Sequence, residues 1–575
     1  MSKKKNISKK RICSPKTKEK REARQYKIDI NTVFKNASFV QIPTRDIEFN
    51  YNGMKGEIDN IYVYDNIVVI SEDTCAKESS NICDHLRKKS FLYKEIEHNT
   101  AKFIEFMRDT YQGFREYRDR NKQYDAKDYK IRFIYCSMYP FNNDQKSNFE
   151  NIVFVDYVDL KYFLSLAKSI HKSSRFELLK FLKVNFDEIG IETGTKQIEL
   201  MGFLLPDSKS GFQDNHNVVT FYIAPKTLIE LSYVLRKDGN WRNQDALYQR
   251  LIIKSKIKSM REYLSALERV FINNIIVTLP SETKLLDAQG DKIRIESENK
   301  TISMPVKIQI PEKFNTIGII DGQHRVFAYH EGDDAYEENI KVKRIKQNLL
   351  VTGIIYPAST KDSDKGEFES KLFLEINDKQ SKVRSELRQS IQTIVHPFTA
   401  IAISRAIISK MGNKGPLENM LEIHSFDSGK IKTTSIVSYG LVHLVKFNGN
   451  DSLYKVWDAK NKEEIIAKQN KELLNNYIEY CTSQINIFIS AYKNQLKRNN
   501  MFTMDKKVSR ALSITALNGA LSCFRKIIEN NQVNSFDYYT NCFNKLKIEY
   551  FPDKFQYKSS NWKSLGDEMY KQCFL

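Results

Sequence analysis

The chain is expected to be a multidomain α/β protein, and three observations predict that class. At 575 residues and 67.3 kDa it is several times the usual domain of about 100–200 residues. Its composition, 41% hydrophobic and 12% aromatic with 12 Pro and 21 Gly, supplies buried cores and excludes a collagen-like, low-complexity or mainly disordered chain. From residue 29 to about 430 short β-branched runs alternate with helical periodicity, and from about 383 to the end the pattern is mainly helical. The expected organisation is a basic flexible tail (1–28), an α/β domain (29–190), a mixed α/β domain (195–430) and a helical C-terminal region (431–575).

The first 28 residues hold nine Lys and three Arg against Glu19 and Glu22, half of the chain's formal net charge of +20. A basic arm neutralises phosphates and releases counterions, strengthening nucleic-acid binding without reading sequence. A merely solubilising tail is the alternative. The segment has no apolar run, so it is expected to be neither a signal peptide nor a membrane anchor. Apolar stretches elsewhere, such as His396–Ser404, are broken by charges well before the ~18 residues of a membrane span. Eight Cys at 13, 75, 83, 136, 481, 523, 542 and 573 form no CxxC pair, the pattern of a reduced, cytoplasmic protein. Cys75, Cys83 and His85 lack the second ligand pair that zinc would need.

Glu57–Val63 and Asn66–Ile70 are β-branched runs around a Tyr64-Asp65-Asn66 turn, and they predict a hairpin. Apolar residues at three- and four-residue steps predict helix over 78–122. Strands at Ile131–Cys136 and Ile152–Val155 and helices at 158–172 and 174–184 complete a βββαβ-like domain. Within GEIDNIYVYDNIVVISEDT, Glu57 and Asp59 lie two apart on a strand, so their carboxylates share a face. Glu72 ends the next strand. Carboxylates converging from paired strands make an oxygen-lined seat for Mg²⁺, an ion that activates water and stabilises a phosphate transition state.

This order of residues resembles the PD-(D/E)xK nuclease superfamily, whose Holliday-junction-type and restriction-endonuclease-like members carry a GEID-type strand. The resemblance implies a restriction-endonuclease-like fold, with Asp59 and Glu72 as metal-binding carboxylates and Glu57 as an additional acid. The family's second strand normally ends in Glu-x-Lys before a helix, and here Thr74 stands at the Lys position. A migrated lysine restores the charge. Lys77, Lys88 and Lys89 are the candidates, and Lys77 and Lys88 complete a catalytic set with Glu57, Asp59 and Glu72. Lys88 alternatively pairs with Asp84, four residues earlier on a helix. The acids also read as solvated strand ends, or as a nuclease fold without catalysis.

Past a loop at Pro206–Asn217, the chain alternates again: VVTFYIA, a helix at 226–236, LYQRLIIKSKIKSMREYLSAL, FINNIIVTL, strands Val306–Ile310 and Thr316–Ile320, a helix from Gln323, and a strand Asn348–Tyr356. This predicts a mixed α/β domain. In NTIGIIDGQHRVFAYHEG an apolar strand ends at Ile320, Gly322 permits a tight turn, and a helix start presents backbone N–H groups. His324 and Arg325 add donors, so strand, Gly turn, helix start and Arg form a phosphate-binding corner. A capping Asp with a salt-bridged Arg, and no ligand, is the other reading of the same residues.

Asp321-Gly322-Gln323-His324-Arg325 resembles the signature of DGQHR-domain proteins, which include the DNA phosphorothioation-associated DndB proteins. More distantly it is similar to the ParB/sulfiredoxin-like fold. Tyr248-Gln249-Arg250 resembles an upstream element of the family, and FLEINDKQSKV, with Asn377 and Gln380, a downstream one. Together they cover roughly residues 195–430. The resemblance implies a role in DNA modification or defence, with ATP or another NTP bound or hydrolysed in several relatives. Carried over, Asp321, Gly322, Gln323, His324 and Arg325 form the nucleotide corner, where Asp321 suits metal or water positioning and Arg325 the phosphates. Gln249, Arg250, Asn377 and Gln380 rank second.

Neither GxxxxGK[ST] nor GxGxxG occurs, and no local Ser-His-Asp or Cys-His hydrolase signature can be assembled. Trp241 beside Arg242 and Trp562 beside Lys563 read as stacking faces for bases or simply as half-buried tryptophans. Helices are expected at Glu463–Lys493 and Val508–Asn530. The expectation is a cytoplasmic DNA-acting protein of a bacterial genome-defence or DNA-modification system. Metal at Asp59 and Glu72 would cleave DNA under control of the DGQHR domain, with other proteins of such a system as further partners. The rivals are a non-catalytic DNA-binding regulator and an NTPase subunit of a DNA-modification complex.

Overall fold

The computed structural model describes residues 15–575 except 45–46, 77–78, 140, 142–148, 191–196, 206–215, 237–248, 250, 268, 294–302, 379–384, 425 and 559. Two units emerge. The first holds the described residues up to Val234 together with Leu251–Lys361, and the second holds Asp362–Leu575 with the short stretches around Arg236 and Gln249.

The first unit opens with α1 (Pro15–Asn36). Residues 15–28, expected as part of a flexible tail, are therefore helical, while residues 1–14 lie outside the described residues. The reason is an apolar stripe at helical spacing, Tyr26, Ile30, Val33 and Ala37, all buried. Strand β1 (Val40–Ile42) follows, then a separate two-stranded ribbon of β2 (Phe49–Tyr51) and β3 (Met54–Gly56), then β4 (Asn60–Tyr64) and β5 (Ile67–Thr74). The predicted hairpin is β4–β5. Tyr64 pairs with Ile67, leaving a two-residue turn in which Asp65 adopts φ 54°, the left-handed geometry such turns require.

Helix was expected without interruption over 78–122. Instead three helices run in series: α2 (Ser79–His98), α3 (Thr100–Thr110) and α4 (Gln112–Arg120). Asn99 breaks the first by capping the second, its side chain accepting from Lys102 N at 3.1 Å, and the extended Tyr111 breaks the next. Strands β6 (Lys130–Ser137) and β7 (Ile152–Val155) run parallel to β5, giving a five-stranded sheet of order β1-β4-β5-β6-β7. Helices α5 (Tyr157–Ile170) and α6 (Arg175–Phe181) close this half. Both faces of the sheet are covered, as its near-continuous apolar strands require. Val68 and Ile70 pack with Leu86 and Tyr93 of α2, whereas Tyr62, Ile67 and Val69 pack with Phe34 of α1 and Phe163 of α5.

An eight-stranded mixed sheet makes the rest of the unit. Its strands are β8 (Gln197–Leu204), β9 (Asn217–Ile223), β10 (Ser232–Tyr233), β11 (Ile275–Leu279), β12 (Lys284–Leu286), β13 (Met304–Pro311), β14 (Ile317–Asp321) and β15 (Leu349–Ile355). They lie in the order β10-β14-β11-β15-β9-β8-β13-β12. Its helices are α7 (Pro225–Leu231), α8 (Lys254–Ala266), α9 (Gln323–Phe327) and α10 (Glu337–Lys346).

One hydrophobic cluster runs from Tyr26 through Val69 and Phe163 to Val277 and Ile355, so the two sheets share a core. Phe314 sits against Phe176 and Phe186, with ring centroids 6.0 and 4.8 Å away. The loop after α9 is clamped from both sides. Arg175 makes a two-armed pair with Glu331 at 2.7 and 3.1 Å. Arg261, fully buried, reaches Asp334 at 2.7 Å, Glu337 at 2.9 Å and the His330 carbonyl at 2.7 Å.

The second unit is mainly helical and starts at Asp362, inside the 195–430 segment expected as one α/β domain; its principal helices are Ser385–Val395, Ala400–Asn413, Lys471–Arg498, Ile514–Glu529, Phe536–Phe543 and Trp562–Cys573. The helix expected over Glu463–Lys493 is interrupted, because Asn470 caps a new start through Leu473 N at 3.1 Å. Ser513 likewise caps the next long helix, so it begins at Ile514 rather than Val508. Among the described residues no single helix is long and apolar enough to cross a membrane. The described cysteines are free thiols.

Arg261→Met should destabilise the first unit by about 3 kcal/mol, because it leaves Asp334 without its guanidinium and the Ala328 carbonyl without that donor, while Glu337 keeps Arg344. A urea-unfolding midpoint within a few tenths of a molar of the parent's would contradict this account of the clamp.

Candidate functional site

The hairpin register decides which carboxylates meet. Asn60 pairs with Ser71, so the next position out sets Asp59 against Glu72. Glu57 and Asp59 were expected on a strand; they lie instead in the link between β3 and β4. The chain must pass there from the small ribbon to the main sheet. The alternation persists nevertheless: Ile58 is buried, and Glu57 and Asp59 are both exposed. Nor does Glu72 end its strand, since β5 continues to Thr74.

Side chains alternate across β5, so Glu72 points into the α2 layer and Asp73 into the α1 layer. Asp59 Oδ2 accepts from the backbone N–H of Asp73 at 2.8 Å and thus sits at the strand edge between them. Asp73 Oδ2 accepts from Asn60 Nδ2 at 2.8 Å, and its Oδ1 from Ser71 Oγ at 3.0 Å. Lys27, Asn31, Glu48, Glu57, Asp59 and Asn60 line an open cleft of about 1030 Å³.

Glu72 is 2% exposed and holds a partner the catalytic set did not include. Lys89 Nζ donates to Glu72 Oε1 at 2.7 Å and to the Glu57 carbonyl at 2.5 Å. Of the three candidates, then, Lys89 meets the carboxylate. Lys88 is exposed, one residue away on the outer side of α2, and Lys77 lies outside the described residues. A sequence signal existed for this choice. Ile82, Leu86, Lys89, Tyr93 and Ile96 form one buried helical stripe, and a lysine inside such a stripe requires a buried partner. His85 and Tyr135 also border Glu72's surroundings, with Nδ1 and Oη 3.0 Å apart; the sequence marks His85 only beside Cys75 and Cys83 as an incomplete zinc set, and marks neither Tyr135 nor Asp73.

Burial pushes the Glu72 carboxyl up to about 8, against the pull of the Lys89 charge. Burial and the neighbouring Asp59 charge raise Asp73 to about 6. Burial, with Lys89 adding to it, lowers His85. The donors suit a hard divalent cation in kind, being carboxylate oxygens. Among the described residues no group of three or more His, Cys, Asp or Glu is placed to hold a metal ion. Mg²⁺ is commonly held by one or two carboxylates plus substrate phosphate and water. Asp59 and Glu72 are the residues that would hold it.

The DGQHR segment folds as the strand–turn–helix expected. Asp321 ends β14, Gly322 has φ 99°, and α9 starts at Gln323. The positive φ is what calls for glycine here, and a Cβ would in addition displace the tip of Ile275, 2.6 Å away at Cδ1. The cation is already engaged: Arg325 Nη2 lies 2.6 Å from Asp321 Oδ2, and its Nη1 donates to the Asn274 carbonyl at 2.9 Å. His324, nearly buried, accepts from Ile253 N through Nε2 at 3.2 Å, and Gln323 is buried as well. With Arg325 so occupied and a five-residue helix, this corner does not fit a nucleotide triphosphate as folded, and no step is assigned to one. Gln249 and Asn377 belong to the second unit, where Gln249 bridges to Arg236 and Asn377 Nδ2 donates to the Phe373 carbonyl at 2.9 Å. Arg250 and Gln380 lie outside the described residues, as does Trp241.

Because Glu72 titrates higher when folded than its ordinary 4.5, the folded state binds more protons between those values. The associated stability is present below about pH 4.5 and is lost as pH rises towards 8, by at most about 1.4 kcal/mol per pH unit. Glu72→Gln should flatten that decline in denaturation midpoints between pH 5 and 8; equal slopes in parent and variant would count against the burial of an ionising Glu72.

Comparison of the chain with family models, with curated proteins and with solved structures gives no match.

Proposed function

We propose that the chain is a metal-dependent DNA phosphodiesterase of a genome-defence or DNA-modification system, with its reaction centre at Asp59, Glu72 and Lys89. The observation that carries this reading is the buried Lys89–Glu72 pair, with Asp59 across the hairpin from Glu72 and on the wall of the cleft. Paired-strand carboxylates joined by a lysine from the following helix are what the resemblance to PD-(D/E)xK nucleases implies, with the lysine moved from the Thr74 position onto α2. Mg²⁺ at such a site lowers the pKa of bound water and neutralises developing phosphate charge. Asp59 supplies the exposed oxygen ligand. Lys89 pulls Glu72 toward the ionised form against its burial and is the ammonium held on that carboxylate. Glu57, exposed on the cleft wall, orders solvent there, and Ile58 between the two acids anchors their backbone in the core.

A non-catalytic DNA-binding regulator is the second reading. The closed Lys89–Glu72 pair favours it, since that lysine already neutralises Glu72, and the Asp321–Arg325 pair favours a structural role for the DGQHR corner.

Plasmid DNA incubated with purified protein and Mg²⁺ or Mn²⁺, with and without ATP or GTP, separates these readings. Metal-dependent nicking should fall by about 10²–10⁴-fold in Asp59→Ala and in Lys89→Gln, while Lys88→Gln should retain it. Loss in Arg325→Ala would link the DGQHR segment to cleavage. Intact DNA binding with no cleavage under any metal or nucleotide would make the chain a regulator or modification subunit instead.

A further inference from the structure

On α1, Lys20, Arg24, Lys27 and Asn31 follow one another at steps of four, three and four residues, so they lie along one face of the helix. Lys20, Arg24 and Lys27 are exposed, and Asn31 is half-buried. The face beside them carries the buried stripe of Tyr26, Ile30 and Val33 that seats the helix. Two further contacts hold its orientation: Asp29 pairs with Lys161 of α5 at 2.7 Å, and Asn36 donates to the Ala167 carbonyl at 3.4 Å. The row ends in the cleft, where Lys27 and Asn31 stand on the same wall system as Asp59 and Asn60. Asn31 is itself held by the Tyr62 hydroxyl of β4, which ties the end of the row to the strand leading out of Asp59.

We infer that this face of α1 is the track along which the phosphate backbone of duplex DNA enters the carboxylate cleft. The inference rests on the phosphodiesterase reading and names its substrate contact. Charge complementarity selects the occupant. A cleft walled by Glu48, Glu57 and Asp59 repels a polyanion, and a fixed row of cations leading into it offsets that repulsion. The three cations span about 10 Å of helix. At about 3.4 Å of axial rise per nucleotide on one strand, that span covers roughly three nucleotide steps. A rigid helix sets this spacing, which a flexible arm would not.

The test is duplex binding measured by anisotropy in EDTA over 50–200 mM salt, with no cleavage to complicate it. The combined Lys20→Gln, Arg24→Gln and Lys27→Gln variant is compared with the parent. A control removes equal charge elsewhere in the unit, through Lys284→Gln, Lys341→Gln and Lys346→Gln. All six positions are exposed, and unchanged melting temperatures certify folding. The track variant should lower the slope of log K against log salt by about 2–3 and weaken binding at 0.1 M salt on the order of 100-fold. The control should keep the parent slope. Equal slopes for the two variants, a preference for single strands that ignores the track residues, or no duplex binding by the parent would each overturn the inference. A track-dependent slope without cleavage under any metal would sink the phosphodiesterase reading and leave the track standing; cleavage with a track-independent slope would do the reverse.

Discussion

The two-residue turn at Asp65-Asn66 is the constraint on which the candidate site depends. Asn66 is fully buried, donating to the carbonyls of Asp128 and Glu188 at 2.8 and 2.9 Å and accepting from Gly190 N at 3.0 Å. Two segments remote in sequence thereby hold the turn in one place. Because side chains alternate along a strand, a slip of one residue would send Glu72 into the α1 layer and Asp73 into the α2 layer. Lys89 would then face the wrong carboxylate. Lys89 meets Glu72, across the hairpin from Asp59, because a turn about seven residues distant from each acid is pinned by its amide.

Much of this first half could be read from the residues. The β4–β5 hairpin, β6, β7, the strand–Gly–helix at Asp321–Gln323 and β15 were all anticipated, since β-branched runs and a single glycine mark them locally. Three features were not. The polar residues Asn99 and Asn470 cap new helix starts inside runs whose periodicity looked continuous, and a cap competes with periodicity only through its own hydrogen bond. Glu57 and Asp59 looked like strand residues because the apolar alternation continues through Ile58, although the hydrogen-bonded ladder begins only at Asn60. Lys89 rather than Lys88 meets Glu72 because α2 is phased by Leu86 and Tyr93, and that phase follows from packing on the sheet.

The DGQHR segment illustrates a different gap between pattern and site. Its backbone conformation follows from local chemistry, whereas the use made of Arg325 depends on Asn274, 51 residues earlier, and on the sheet order that puts β11 beside β14. Gln249 and Asn377 were grouped with this segment by likeness of order along the chain, yet they fold into the other unit. Nothing in a linear pattern reports which of two cores a short element joins; only burial does, as with Gln249 and Arg236, both almost wholly enclosed.

The shared core of the two sheets has a consequence for how the protein can be divided. A chain ended near residue 190 would uncover Phe176 and Phe186 where Phe314 now covers them, and would leave Arg175 without Glu331. The carboxylate-bearing sheet is thus no autonomous module to be excised and grafted. One hydrophobic cluster joins it to β14, which ends at Asp321, and to the helix that carries Arg325, within a single compact unit.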